Sequence, residues 1–261
     1  MNELTKSLQN IELEMLIETK ELFDKYEIPF YLACGTMLGC VRHGGFIPWD
    51  DDIDIYIRGC DYEKVRNIFL KQDTGNLVLH DYDLVKNYPY TFPKIVHRKT
   101  VLVENSLQHI DYKCGVYIDL FLLADIPDHK FIRYVYEKER YINYCIIRFY
   151  YCDFDSKSRK FISSIIRKVF NPVKVQSKLR RMYIKTFNST YCIDVGTFGN
   201  QALLNKNIFS EIMMHQFEHV YMPIPVQFSR YLEHYYGDYM KLPSIENRVS
   251  NHDFYSIKLK F

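Results

Sequence analysis

The most informative segment of this 261-residue chain is Trp49-Asp50-Asp51-Asp52-Ile53-Asp54-Ile55. Its acids crowd together, and such carboxylates repel one another unless cations lie between them. The alternating pattern that begins at Ile53 predicts a strand whose isoleucines face the core, so Asp52 and Asp54 share the opposite face. Carboxylates so placed can bridge a pair of hard divalent cations such as Mg²⁺, which prefer oxygen ligands together with substrate phosphate.

The same acids have two simpler explanations, a solvated loop and a calcium-binding loop. The EF-hand pattern is excluded because no Gly stands at its sixth position and no Glu at its twelfth. The solvated loop conflicts with Ile53 and Ile55, which tie the last two acids to a buried strand. Asp50 and Asp51 precede this strand, and they either order the metal shell from outside or shape the loop.

A tight turn and a short helix are predicted just before the acidic segment. Residues 28–33 are mostly apolar and predict a strand, and Gly35 permits a turn into a helix from Thr36 to about His43, which Gly44-Gly45 ends. The first N–H groups of such a helix can receive phosphate oxygens. Gly35 and Thr36 are therefore predicted to bind substrate phosphate, and phosphate beside metal carboxylates is the equipment for two-metal phosphoryl transfer.

The hydrophobic periodicity along the rest of the chain predicts an α/β fold, a mixed sheet flanked by helices. Helices are expected at residues 3–26 and 62–70, and further strands at 53–57, 76–80, 92–97, 100–104 and 115–122. The second half has a mainly helical pattern. We predict a single catalytic unit over 1–261, with a core of about 1–127 and a mainly helical portion of about 128–261.

Positive charge is concentrated in one interval, although the net charge is only +2. No acidic residue occurs between Asp155 and Asp194, whereas the interval contains ten Lys and Arg with apolar residues between them. A solvated face and nucleic-acid binding are two explanations, but no recognised nucleic-acid motif supports the second. We favour peripheral contact with an anionic membrane through residues 156–193, and expect no nucleic acid as a partner.

The cysteines and the N-terminus bear on the cellular compartment. The seven cysteines show no metal-ligand spacing, which fits a reducing environment. The N-terminal segment carries acids throughout and does not resemble a signal peptide, and no apolar stretch is long enough to span a bilayer. A cytoplasmic protein at the inner face of the cytoplasmic membrane is expected.

Several motifs together resemble the LicD family of phosphorylcholine transferases, and the human fukutin-related sugar-alcohol phosphate transferases share the acidic motif. The motifs are Gly35-Thr36-Met37-Leu38-Gly39, Arg42-His43, Gly45-Phe46-Ile47-Pro48-Trp49, Asp50-Asp51-Asp52-Ile53-Asp54, Phe92-Pro93-Lys94-Ile95, Thr100, Tyr117-Ile118-Asp119-Leu120-Phe121 and Tyr236-Gly237-Asp238-Tyr239-Met240. The resemblance covers most of the chain and is weakest between about 130 and 210. Cys34 and Cys40 depart from it, since the family more often has Gly or Ser and Ala there.

The resemblance implies a nucleotidyltransferase-like fold in which Gly-Thr replaces the usual Gly-Ser signature. It also implies transfer of phosphocholine or a similar phospho-alcohol from CDP-choline or a related CDP-alcohol to a glycan or glycolipid hydroxyl, with Mg²⁺ or Mn²⁺. The acceptor would be a precursor of lipopolysaccharide, teichoic acid or capsule. With this match, Asp119 in the apolar run 116–124 is expected to join Asp52 and Asp54 as a metal ligand and to act as base. Alternatively, Asp119 is a structural acid paired with a core Arg.

Three further residues are predicted to contact the donor. Arg42 can hold a diphosphate oxygen, and Lys94 can neutralise leaving-group charge unless it is an ordinary exposed lysine. Tyr236 lies in the aromatic segment 235–239 and can line the site of a choline cation, unless these tyrosines belong to the core. Arg248 and His252 are additional candidates.

Two other functions stay open. One is nucleotidyl transfer, in which the nucleoside monophosphate itself moves to a small-molecule or nucleic-acid hydroxyl. The other is a non-catalytic module that binds a divalent cation or a glycan, for which the 23 tyrosines are the best argument.

Overall fold

A computed structural model describes residues 3–249 and 254–259 of the chain. Its α-helices are α1 (Glu3–Lys25), α2 (Cys34–His43), α3 (Tyr62–Lys71), α4 (Lys130–Tyr151), α5 (Lys157–Val169), α6 (Pro172–Ile184) and α7 (Phe228–Tyr236). Its strands are β1 (Phe30–Leu32), β2 (Ile53–Arg58), β3 (Leu77–His80), β4 (Lys94–His97), β5 (Thr100–Glu104), β6 (Tyr117–Asp125), β7 (Tyr191–Asp194), β8 (Leu203–Asn205), β9 (Ile212–Phe217), β10 (Val220–Pro225) and β11 (Phe254–Leu259).

A mixed sheet forms the centre of the molecule. Within the described ranges it has seven strands, in the order β1-β2-β6-β4-β3 with β7 and β8 continuing from β6. β2 and β6 are parallel, whereas the remaining pairs are antiparallel. The predicted α/β fold with a mixed sheet is therefore confirmed.

Helix α1 covers the sheet with an apolar stripe. Leu8, Ile11, Met15 and Leu16 recur at helical spacing and are all buried, and the helix contacts β3 and β6. Each such side chain contributes about 1.5–3 kcal/mol when it is fully removed from water. The periodicity of residues 3–26 thus predicted the helix and the burial of Leu8, Ile11 and Met15, whereas Leu4, which continues the same pattern, is 40% exposed.

The second half of the chain is mainly helical, as predicted, and it is anchored to the core. Helix α6 packs against β6. The Gln176 amide donates to the carbonyls of Tyr88 (2.8 Å) and Tyr90 (2.9 Å), and Arg180 pairs with Asp81 at 3.1 Å. The strands β7 to β11 were not predicted. The division into a core of about 1–127 and a second portion of about 128–261 within one unit stays a prediction.

The hairpin β9–β10 fixes the end of α2. The Glu218 N–H donates to the Gly44 carbonyl (2.7 Å), and the Glu218 carboxylate accepts from the Phe46 N–H (3.0 Å). Gly44 has φ +71°, a left-handed conformation that glycine adopts without strain and that ends the helix. The loop between α2 and β2, which carries the acidic segment, is therefore held at its start.

In the part of the chain that the structure describes, every helix is too short or too polar to cross a membrane. His252 lies outside the described residues.

Candidate active site

Three ionisable side chains lie in a row across neighbouring strands. Asp54 on β2 is the register partner of Asp119 on β6, and Asp119 in turn is the register partner of Lys94 on β4. Register partners project from the same face of a sheet. The strand pairing therefore brings together Asp54 and Asp119, which are 65 positions apart in the sequence, and adds Lys94 beside them.

Lys94 and Asp119 form a buried ion pair. The Lys94 Nζ lies 2.5 Å from Asp119 Oδ1, and the two residues are 2% and 7% exposed. The ammonium also lies over the rings of Tyr117 (3.4 Å) and Tyr90 (4.3 Å). Burial alone would lower the pKa of Lys94, but the charges of Asp119 and Glu104 raise it. Lys94 is therefore a charged core residue, so the exposed-lysine alternative is wrong, and the cationic partner of Asp119 is a Lys rather than an Arg.

The start of α2 is fastened to the strand that carries Asp54. The Asp54 N–H donates to the Thr36 hydroxyl (2.8 Å), and the Ala33 N–H donates to the Asp54 carbonyl (2.9 Å). Thr36 is 4% exposed. Its hydroxyl oxygen holds the β2 backbone and can still donate its own proton. The N-terminus of α2, predicted to bind phosphate, is thus fixed next to the carboxylates.

Asp50, Asp51 and Asp52 form one carboxylate cluster. One side-chain oxygen from each lies within 4.8 Å of the others. The Asp50 carboxylate also lies against Gly35, where an added Cβ would come within 2.8 Å of Asp50 Oδ2. The carboxylates of Asp50 and Asp51 therefore lie with that of Asp52, and Asp50 also reaches the start of α2; whether they order a metal shell or shape the loop stays a prediction.

The charge of this site favours a cation. Burial raises the pKa of Asp54, and so do the charges of Asp52, Asp119 and Asp50. Carboxylate oxygens at close range are the ligands that Mg²⁺ and Mn²⁺ prefer. The donor set thus fits a divalent metal, which would offset the mutual repulsion of the acids.

Glu12 on α1 is a site residue that the sequence analysis missed. It is 2% exposed, and its Oε2 has no hydrogen-bond partner among the described residues. Burial raises the pKa of Glu12, and Asp52, Asp51, Asp50 and Asp119 raise it further. The sequence does contain a signal for it, because Glu12 interrupts the apolar stripe midway between Leu8 and Leu16.

Helix α1 also supports the acidic loop through its backbone. Gln9 lies one turn before Glu12, and its Nε2 donates to the carbonyls of Asp50 (2.8 Å) and Ile47 (3.3 Å). The face of α1 that contains Gln9 and Glu12 therefore lies beneath the carboxylates.

Cationic and aromatic residues from α2 and the loop after it and from the segment after α7 contact one another. The Arg42 Nη1 donates to the Tyr239 carbonyl at 3.0 Å, and the Arg248 guanidinium lies 5.6 Å from the Trp49 ring centroid. Burial lowers the pKa of Arg42, with Tyr236 and Arg248 acting in opposite directions on it. Arg42, Tyr236 and Arg248 are therefore close enough to influence one another electrostatically.

The three tyrosines of the aromatic segment 235–239 have different surroundings. The Tyr235 hydroxyl donates to Asp194 Oδ2 (2.9 Å), and the Tyr239 hydroxyl lies 3.4 Å from Ser229 Oγ. Tyr236 is 41% exposed, whereas burial of its hydroxyl raises its pKa, together with Cys34, Asp54, Asp50 and Asp52. The Tyr236 hydroxyl is therefore close enough to Asp54, Asp50 and Asp52 to be affected by their charges.

Comparison with known proteins gives one family and several relatives. Residues 27–131 match the family described as LicD/FKTN/FKRP, nucleotidyltransferase domain, a range that contains α2, β2, β4 and β6. The chain is 27% identical over 266 residues to the lipopolysaccharide cholinephosphotransferase LicD of Haemophilus influenzae, and the match covers 97% of both chains. The chain is thus similar to the LicD family over residues 27–131 and to one cholinephosphotransferase over nearly its full length.

Two further relatives match shorter parts of the chain. An uncharacterized protein of Rickettsia prowazekii is 31% identical over 128 residues, which are 49% of this chain and 43% of the relative. An uncharacterized protein of Rickettsia typhi is 48% identical over 44 residues, which are 17% and 14% of the two chains.

Proposed function

We propose that this protein transfers phosphocholine, or a similar phospho-alcohol, from a CDP-linked donor to a hydroxyl of a bacterial surface-glycan precursor, with lipopolysaccharide as the first acceptor to test. The observation that carries the proposal is the pairing of Asp54 with Asp119 beside the Asp50–Asp52 cluster. The full-length match to a cholinephosphotransferase supports the choice of phosphocholine.

Asp52, Asp54 and Asp119 are the proposed ligands of Mg²⁺ or Mn²⁺. Such an ion, when bound, polarises phosphoryl oxygens and offsets the charge that develops on the leaving group. Lys94 occupies one oxygen of Asp119, but a carboxylate offers about four lone-pair sites, so the ion pair does not exhaust its capacity. Lys94 in this role orients Asp119 and balances its charge, while direct contact of Lys94 with the donor stays a prediction.

The reaction is a displacement at the phosphorus distal to cytidine. The acceptor oxygen forms a new P–O bond, the bond from this phosphorus to the bridging oxygen of the diphosphate breaks, and CMP leaves. Asp119 takes the proton of the acceptor hydroxyl. The proposed contacts to the phosphate oxygens of the donor are the N-terminus of α2 at Gly35-Thr36 and the Arg42 guanidinium.

Nucleotidyl transfer is the second candidate, and the matched family description favours it because it names a nucleotidyltransferase domain. The two reactions break different bonds of the same donor. Incubation with CDP-choline labelled separately in choline and cytidine, with Mg²⁺ and lipopolysaccharide lacking phosphocholine, distinguishes them. We expect the choline label on the acceptor and the cytidine label in free CMP.

Two other outcomes would contradict the proposal, and a third would refine it. Cytidine label on the acceptor would identify nucleotidyl transfer. Absence of turnover with CDP-choline, CDP-ethanolamine, CDP-glycerol and CDP-ribitol, with a divalent cation bound, would identify a binding module. Turnover with only one of the other CDP-alcohols would support the same reaction class with a different head group, and the screen would identify that head group.

A further inference from the structure

Helix α5 exposes an apolar face to solvent. Its large apolar side chains Phe161, Ile162, Ile165 and Val169 are 66%, 43%, 45% and 68% exposed. At α-helical spacing these four positions fall on one stripe about 100° wide. A surface helix normally turns such a stripe toward the core, and a contiguous exposed apolar patch marks an interaction site. We call these four residues the α5 stripe.

The attachment of α5 explains why the α5 stripe faces outward. Ser163 is buried, and its hydroxyl donates to the Phe149 carbonyl at the end of α4 (2.7 Å). The Arg167 Nε donates to the neighbouring Tyr150 carbonyl (2.8 Å). α5 is therefore held on α4 through a small polar residue and an arginine, while Phe161 and Val169 remain about two thirds exposed and Ile162 and Ile165 nearly half exposed.

The charges beside the α5 stripe identify the kind of partner. Lys157 and Lys168 are exposed on the same helix beside Phe161 and Ile165, at the edge of the α5 stripe, and no acidic residue occurs between positions 155 and 194. An exposed apolar stripe flanked by lysines complements a surface that is apolar inside and anionic at its boundary. A bilayer with anionic headgroups has this structure, whereas nucleic acid offers no apolar interior to four large side chains.

We propose that α5 is a membrane-docking helix that lies in the plane of an anionic bilayer. The α5 stripe inserts at the boundary between headgroups and acyl chains, and the flanking lysines contact lipid phosphates. This proposal goes beyond the transfer reaction and does not depend on it, because docking requires neither donor nor metal.

The test is sedimentation of the full-length protein with vesicles of phosphatidylcholine alone and of phosphatidylcholine with phosphatidylglycerol. We expect binding to the anionic vesicles that weakens as salt rises, because charge attraction is screened. The double variant F161S/V169S should lose at least about tenfold of this binding, since it removes two inserting side chains. The matched control L70S/I245S replaces two apolar residues that are 51% and 79% exposed elsewhere, and should bind like wild type.

A second variant, K157Q/K168Q, tests the charges separately. It should weaken binding to anionic vesicles and leave any binding to neutral vesicles unchanged. Circular dichroism of each variant verifies that it is folded. The proposal is overturned if wild type ignores anionic vesicles, or if F161S/V169S and the control bind equally. It is also overturned if light scattering shows a wild-type dimer that F161S/V169S converts to a monomer without any vesicle binding by either protein.

Discussion

Glu12 shows how strongly one buried residue responds to the carboxylate site. The pKa of Glu12 is raised on folding, so the folded state binds more protons at this residue than the unfolded state does. Above its pKa in the unfolded chain, the residue therefore lowers the free energy of unfolding. This loss of stability becomes smaller as the pH falls toward the pKa that Glu12 has in the unfolded chain. We therefore expect Glu12→Gln to raise the free energy of unfolding at pH 7.5 by about 1–3 kcal/mol without divalent metal. The gain should become smaller at pH 5.5.

Denaturant unfolding of wild type and Glu12→Gln at both pH values measures this difference. Glu14→Gln is the matched control, because Glu14 lies on the exposed face of the same helix and should change stability by less than about 0.5 kcal/mol. The comparison within each pH cancels the contribution of the histidines with lowered pKa, such as His80. Lower stability of Glu12→Gln at pH 7.5 would show that the glutamate is favourable where it is.

Gly35 separates the geometry of the site from the stability of the fold. A methyl group there would meet the Asp50 carboxylate, which can rotate away, so Gly35→Ala should fold with a stability within about 1 kcal/mol of wild type. We expect turnover to fall roughly tenfold, because Asp50 is displaced from the cluster. Gly39→Ala is the contrast: its Cβ would lie 2.5 Å from the Gly45 backbone oxygen, and we expect a loss of about 1–3 kcal/mol of stability.

Thermal melting measures the stability of wild type, Gly35→Ala and Gly39→Ala, and CMP release measures their turnover. Full turnover by Gly35→Ala would mean that the position of Asp50 does not matter for the reaction.

Tyr235 and Tyr236, at the end of helix α7, are expected to have different roles: Tyr236 in donor binding and Tyr235 in stability. If the donor carries choline, the trimethylammonium has no N–H to donate, and aromatic faces contribute about 0.5–2 kcal/mol each to its binding. We expect Tyr236→Leu to raise KM for CDP-choline more than for CDP-glycerol, which has no cation. Tyr235→Phe removes the bond to Asp194 and should lower stability without any preference between the donors. Equal changes in KM for both donors in Tyr236→Leu would assign this ring to packing.

Local pattern was enough to predict most elements of the core. Helical periodicity predicted α1 and α3, and the Ile-Asp-Ile alternation predicted β2, because these patterns reflect a single buried face. The hairpin β9–β10 was missed for a physical reason. Its two-residue turn is Glu218-His219, with Glu218 at φ +53°, and lacks the Asn-Gly or Asp-Gly pair that normally indicates such a turn.

The row of Asp54, Asp119 and Lys94 could be predicted only in part. The acids of the motif are visible in the sequence, and the apolar surroundings of Asp119 mark it as unusual. Lys94 lies beside Asp119 because β4 pairs with β6. Local hydrophobic periodicity does not predict which strands pair, so this contact could not be predicted. For the same reason Glu12 could be seen as a charge in an apolar stripe, but its neighbours could not be named.

At the scale of the whole molecule, strand and helix contacts join the two halves of the chain. β7 from the second half pairs with β6 from the first, and α6 packs against β6 as well. We therefore predict one cooperative unfolding transition, with far-ultraviolet circular dichroism and tyrosine fluorescence giving coincident midpoints. Two separated midpoints would show that the helical portion unfolds independently of the core.

The most direct test of the carboxylate centre is to compare CMP release from CDP-choline by wild type and by Asp54→Asn. Both proteins are assayed at the same concentrations of Mg²⁺ and lipopolysaccharide. Asparagine keeps the side-chain volume and removes one charge from the proposed metal site. We predict a rate at least about a hundredfold lower, which corresponds to about 2.7 kcal/mol of lost transition-state stabilisation, in a variant that stays folded. Asp52→Asn should behave in the same way. CMP release at a near-normal rate by folded Asp54→Asn would contradict the assignment of this centre.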